Sequence, residues 1–456
     1  MNKYKIIPIA LIVCLLSSCG IYTSYKRPDD LPVSNLYRDS TVQPDSSSLA
    51  VLSWRELFTD PQLVEWIEVG LEQNTDLRIA RLKVEEASAT LSASKLAFLP
   101  SLGLSAQGNL SSFDVTTASK TYSLGVSSDW EIDLFGRLRN AKKQDIAALE
   151  QSEAYRQAVQ TQLIATIADT YYSLLMLDRQ LDITRQTVAN WSKTLQMMSA
   201  LKEAGETNSA AISQAKANKL TAEQSILTLE KQIYSLENSF SSLLGIAPQD
   251  IKRGNYFDLN IPAEYSLGIP LEMIGNRPDV KVAEYDLKKA FYVTNEARSN
   301  FYPQLTLGGS AGWTNSAGNV IVNPGRWLLS AVGSLIQPLF NKGKNIANLK
   351  ISKAKQEETL LTYRQKILDA GTEVNDALKQ WQTAQKNLEL SREKIKELET
   401  TVRSTQLLMQ HGHINYLEIL TAQQLLLDAQ LQDVTDKFDE IQGAITLYHA
   451  LGGGIK

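Results

Sequence analysis

Residues 97–108 read AFLPSLGLSAQG, and residues 300–312 read NFYPQLTLGGSAG. Each carries a Phe-x-Pro step and then alternates apolar with small polar residues. Around the first, Leu102, Leu104, Ala106, Gly108 and Leu110 form the apolar set; after the second it is Leu305, Leu307, Gly309, Ala311 and Trp313. A period of two over ten or so residues makes a strand with one apolar and one polar face. A second run follows each of them. Tyr122, Leu124, Val126, Ser128, Trp130, Ile132 and Leu134 alternate with polar neighbours, and a less regular run extends from Trp327 to Leu339.

The match reaches further. IDLFGRLRNA at 132–141 resembles QPLFNKGKNIA at 337–347, and SSLLG at 241–245 resembles YHALG at 448–452. The separations are 203 residues for Pro100 and Pro303, 205 for Phe135 and Phe340, and 207 for Gly245 and Gly452. Two halves therefore share one plan of helix, strand, strand, long helix, helix; a solenoid needs more and shorter units. The expected first half is 54–245, with strands at about 101–113 and 120–135 and helices over 137–204 and 209–244. Its counterpart is 279–452, with strands at about 304–315 and 327–339 and helices over 344–410 and 415–450; residues 246–278 connect the halves.

The helices carry a coiled-coil signature. Apolar and small residues from Leu360 through Tyr363, Ile367, Val374, Trp381 and Leu388 to Met409 keep a 3-4 spacing over seven heptads. Shorter stripes run Leu174 to Met198, Ile212 to Leu243 and Leu417 to Tyr448, with Trp191 and Trp381 as packing residues. No proline interrupts 137–204 or 344–409, so each is expected as one helix of ~100 Å at ~1.5 Å per residue. Gly205 and Gly412 follow where the left-handed cap of a helix hairpin belongs.

At the N-terminus, Lys3 and Lys5 precede an apolar run from Ile6 to Leu16 and the small residues Ser17-Ser18-Cys19-Gly20. This is a secretory signal over residues 1–18, too short to span a bilayer. Cys14 and Cys19 are the only cysteines, so a chain maturing at Cys19 has no disulfide. Leu16-Ser17-Ser18-Cys19 resembles the lipobox of bacterial lipoproteins, which implies diacylglyceryl and N-acyl groups on Cys19. Gly20 in place of Asp resembles an outer-membrane address. Residues 19–53, rich in Pro, Ser and Asp, read as an extended tether.

Composition is that of a folded protein, 43% hydrophobic with net charge −4, and no basic patch suggests a nucleic-acid partner. The histidines are His411, His413 and His449, none in an HExxH or Cys/His pattern, so no metal or cofactor is expected beyond the lipid. No phosphate loop or GxSxG elbow is present, which argues against an enzyme.

Four strands of this length suit a transmembrane barrel but are too few to close one, since the smallest have about eight. Two copies would give eight strands and three would give twelve. The same elements, taken without the signal, would also build a soluble sandwich or a non-conducting periplasmic coiled-coil scaffold. Trp130, Trp313 and Trp327 lie near strand ends, where an aromatic girdle belongs, although Trp130 would equally suit packing at the strand-helix junction.

WEIDLFGRLRNA (130–141), GNRPDVKVAE (275–284), FYPQLTL (301–307) and QPLFNKGKNIA (337–347), in that order, resemble motifs of the TolC-like outer membrane factor family, in its OprM/NodT-type efflux lipoprotein branch. The resemblance spans nearly the whole chain. It implies an α+β membrane fold: a homotrimer with a twelve-stranded β-barrel, four strands per chain, continued by a helical periplasmic tunnel. It implies an exit duct in the outer membrane, served by a periplasmic adaptor protein docking at hairpin tips marked by Gly205 and Gly412. The inner-membrane pump would commonly be of the RND class. A duct for type I protein secretion is the alternative within the family. The periplasmic gate falls at the start of the last helix, on Leu417, Glu418 and Thr421; Asn276 and Thr421 depart from the arginine and acid usual at those places.

If Cys19 is the lipid anchor, radiolabelled palmitate enters the wild-type protein and not Cys19→Ser. Equal labelling of the two excludes the anchor.

Overall fold

The computed structural model describes residues 22–32, 36, 52–112, 118–205, 207–254, 257, 277–314, 327–410 and 416–454. The signal segment, Cys19, most of the tether and connector, and the second hairpin turn with His411, Gly412 and His413 lie outside them. In chain order the elements are α1 (Trp54–Leu57), α2 (Pro61–Gln73), α3 (Thr75–Leu96), β1 (Gly103–Ser111) and β2 (Ser119–Ile132), then α4 (Arg137–Glu203) and α5 (Ser209–Leu244). The second half has α6 (Pro278–Ser299), β3 (Gln304–Thr314), β4 (Trp327–Ile336), α7 (Lys344–Gln410) and α8 (Tyr416–Ala450). The chain divides into two compact units, 1–31, 83–153 and 281–365 in one, and 32–82, 154–280 and 366–456 in the other.

The first unit holds one antiparallel sheet of order β1-β2-β3-β4. Its register aligns the apolar alternation across all four strands. Ala106 opposes Leu124, Leu124 opposes Trp313, Val126 opposes Ala311, and Ala311 opposes Leu329. That face is open: Leu104 is 77% exposed, Leu329 76% and Leu335 65%. Trp130 opposes Leu307 toward the helix end of the strands, whereas Tyr122 and the facing Trp313 and Trp327 lie toward the loop end. Trp130 and Tyr122 are eight residues apart on β2. At ~3.3 Å per residue that is ~26 Å, the height of the apolar band of an outer-membrane barrel. On the polar face Gly125 opposes Gly312, and a Cβ on Gly312 would lie 2.5 Å from the Leu124 carbonyl. Only glycine allows β2 and β3 so close an approach here.

Strand ends differ slightly from the expected ones, for chemical reasons. β2 stops at Ile132 because Asp133 turns to cap α4, its carboxylate accepting from the N–H groups of Leu138 (3.2 Å) and Arg139 (3.0 Å). Gly136 completes the bend at φ +77°. The counterpart β4 stops at Ile336, short of Pro338, which has no N–H to donate. That junction uses Lys342 and Gly343, both at positive φ.

The described part of the tether is without helix or strand but is not loose. In the first unit the Tyr25 ring meets Phe291 edge to face at 5.8 Å, Arg27 pairs with Glu284 and Asp30 pairs with Arg364. In the second, the Asn375 amide donates to the Leu36 carbonyl at 2.9 Å.

The second unit is helical. Its core gathers Trp54, Phe58, Tyr171, Phe240, Ile441 and Tyr448. In this unit the α7 stripe is buried at Ile367, Val374, Ala377 and Leu388, each at 5% exposure or less. Among the described residues no helix is long and apolar enough to cross a membrane.

Candidate functional site

The ends of α4 and α7 and the starts of α5 and α8 meet in a small core. Trp191, Met198, Ala211, Ala215, Met409, Ile419 and Leu420 pack together there. The α4–α5 turn is built for reversal. Gly205 takes φ +80° and its N–H bonds the Lys202 carbonyl at 3.0 Å, while the Asn208 side chain accepts from Ala211 N–H at 3.1 Å to start α5. Gly412, expected to make the second turn, is outside the described residues.

On α8 the buried seam is Leu420, Leu427, Val434, Ile441 and Tyr448, spaced by seven and none more than 8% exposed. Leu417 is not its first member, as the sequence stripe suggested: it is 54% exposed, while Ile419, Leu420 and Ala422 turn inward. The reason is phase. Ile419 and Leu420 meet the α4–α5 hairpin, and the opposite side of the first turns carries Leu417, Glu418, Thr421, Leu425 and Asp428, all exposed. The three residues expected at a gate thus share one uncovered side, joined by Leu425 and Asp428, which the motif did not single out.

Beside this apolar packing, α4 and α8 are joined by neutral or singly charged hydrogen bonds. Gln423 donates to the Thr194 hydroxyl at 3.1 Å, Gln180 to the Thr435 hydroxyl at 3.3 Å and Gln442 to the Asp169 carboxylate at 2.8 Å. Burial pushes the Asp169 carboxyl above its ordinary range, and the Gln442 bond opposes the shift.

Arg277, within the GNRPDVKVAE segment (275–284), is a hub. Its side chain is 5% exposed. Nε and Nη2 donate to the two Asp279 oxygens at 3.0 Å each, Nη2 also to Glu373 at 2.6 Å, and Nη1 to the Ala450 carbonyl at 2.6 Å, which caps the end of α8. The His449 ring, 3.8 Å from Glu373, and the Arg277 guanidinium hold the Glu373 carboxyl down to about 2. A second anchor joins Tyr171, which donates to Asp60 at 2.6 Å and accepts from Gly254 N–H at 3.0 Å. Among the described residues no group of His, Cys, Asp and Glu could hold a metal ion.

Glu373 makes stability depend on pH. Its folded-state value lies below the ordinary carboxyl value of ~4.3, so its contribution is complete above that and is lost as pH falls toward 2. The side chain is 39% exposed, so solvent screening leaves roughly 1 kcal/mol. Glu373→Gln is expected to lower thermal stability by that amount at pH 7. The difference from wild type should shrink between pH 4 and pH 2.

Comparison with known proteins extends these observations. A family described as outer membrane efflux protein matches residues 66–246 and 269–453. The chain is 29% identical to the probable outer membrane lipoprotein SilC of Salmonella typhimurium, over 100% of this chain and 99% of that one. It is 29% identical to the solvent efflux pump outer membrane protein SrpC of Pseudomonas putida, over 99% and 98%. The cation efflux system protein CusC of Escherichia coli K12 is 28% identical over 100% of both. A solved structure of CusC superposes with a TM-score of 0.82 at 26% identity, covering 96% of this chain and 100% of that one. The open state of the Neisseria gonorrhoeae MtrE outer membrane channel gives 0.86 at 25%, covering 95% and 99%.

Proposed function

The chain belongs to the outer membrane efflux protein family and is an outer-membrane channel component of an efflux system, and from that premise we propose how copies of it assemble, anchor and close. Three copies share one barrel. The observation that carries this is the sheet: among the described residues β1 and β4 each have a strand neighbour on one side only, and the apolar face is open. Backbone groups left unpaired in lipid cost several kcal/mol each, so β4 of one copy must pair with β1 of the next until the ring closes. Three times four strands gives a barrel of twelve. Leu220, Leu227 and Tyr234, seven apart on α5 and 50–67% exposed, supply a heptad seam for the neighbouring copy.

The lipid sits on Cys19, as diacylglyceryl and N-acyl groups. Tyr22, three residues later, packs its ring against Gly136 at the strand-to-helix junction. The hairpin turns at Gly205 and Gly412 receive a periplasmic adaptor, which joins the duct to an inner-membrane pump of the RND class. Native mass spectrometry in detergent tests the assembly and is expected to give a trimer. A monomer that conducts ions in a planar bilayer overturns it.

Leu417, Glu418 and Thr421 form the periplasmic gate. Threefold symmetry turns each into a ring, and converging carboxylates repel one another while attracting cations. Their shared uncovered side on α8 supports this reading. In single-channel recordings Glu418→Ala should weaken cation selectivity and Leu417→Ala should raise the closed-state conductance. If neither property changes, the constriction lies elsewhere.

A further inference from the structure

A cavity of about 740 Å³ opens in the helical unit between the start of α3, the middle of α4 and the Arg277 hub. That volume is in the range of pockets that hold small molecules. Asp76, Asp279 and Glu373 place three carboxylates on its lining against one guanidinium, that of Arg277. The guanidinium is committed to Asp279, Glu373 and the Ala450 carbonyl and is nearly fully buried, so it has little to offer a ligand. The carboxylates do not share that burial. Asp279 and Glu373 are 38% and 39% exposed, and Asp76 lies exposed in the first turn of α3. The rest of the lining is mixed: Ile79, Tyr155, Val159 and Leu163 supply apolar surface beside the polar side chains of Thr161, Gln162, Thr166 and His449.

An anion entering here would meet a surplus of negative charge. A neutral apolar molecule would desolvate carboxylates without compensating them. A cation with an apolar body meets both requirements, because the carboxylates attract its charge and the Tyr155 ring offers a π face as well as apolar contact. Glu373 stays ionised throughout the neutral range, since His449 and Arg277 hold its carboxyl far below that range.

We propose that this cavity is a binding site for an organic cation with an apolar body, such as a quaternary ammonium or phosphonium, its charge between Asp76 and Glu373 and its body on Ile79 and Tyr155. The site lies within one chain and does not depend on barrel closure or on the gate.

Equilibrium dialysis of the detergent-purified full chain tests it, with tetraphenylphosphonium as probe and tetraphenylborate as the anion of the same shape. Saturable binding of about one phosphonium per chain is expected, with none of the borate. Asp76→Asn and Tyr155→Ala should each weaken it about tenfold or more. Asp76 is exposed, so its variant reads the charge without disturbing the core. Glu373→Gln should weaken binding too, although it also touches Arg277. The proposal is overturned if the two ions bind alike, if phosphonium binding does not saturate, or if Asp76→Asn and Tyr155→Ala both keep wild-type affinity. Single-channel conductance of those two variants should match wild type, which separates this result from the duct reading.

Discussion

Every backbone N–H and C=O that enters hydrocarbon must find a partner in protein, and a four-stranded sheet cannot supply one for its two outer strands. The rest of the molecule follows from that constraint. Strands of nine to fourteen residues suit the thickness of the bilayer. The apolar alternation runs in register from β1 to β4, so one whole face can meet lipid while the other stays polar. A side chain larger than hydrogen at Gly125 or Gly312 would push β2 and β3 apart on the polar side, where the wall must curve. Belonging to one ring of strands is thus a condition for each sheet to exist in the membrane at all.

The helices solve a different problem. A helix of 67 residues with a narrow apolar stripe cannot bury itself against one partner alone, and most of the circumference of α7 is exposed in a single chain. Their stability comes from packing, since only tertiary contact holds so polar a helix in one place. Hydrogen bonds between amides and hydroxyls at Thr194 and Gln423, or Gln180 and Thr435, add direction at modest energy. Such contacts can be exchanged for water at little cost, in contrast to the buried guanidinium of Arg277.

Much of this architecture was legible from periodicity. Period two located the strands and period 3.5 the long helices, because each face sees one environment along its whole length. Where a strand ended was less legible, since that depends on single groups: the Asp133 carboxylate capping α4, and the missing N–H of Pro338. The docking of the tether left no trace in the sequence pattern, because Tyr25, Arg27, Asp30 and Leu36 contact helices hundreds of residues away without any repeat of their own. At the start of α8 the heptad stripe did not reveal the phase of Leu417, which is 54% exposed. Three residues separate it from Leu420, and only the position of the α4–α5 hairpin decides which of the two is covered. Arg277 shows the converse case, in which the motif was visible but its work was not, since its partners Glu373 and Ala450 are 96 and 173 residues away.

That span has a consequence for biosynthesis. Arg277 emerges from the ribosome and crosses the inner membrane long before Ala450, whose carbonyl completes its set of partners. Until the last helix arrives, the chain carries a guanidinium that the folded core would have to desolvate with part of its hydrogen bonding unmade. A polypeptide cut short anywhere in α8 keeps that defect for good. The hub is therefore complete only when both halves of the duplicated chain are present, since Arg277 draws its partners from Asp279, Glu373 and the Ala450 carbonyl.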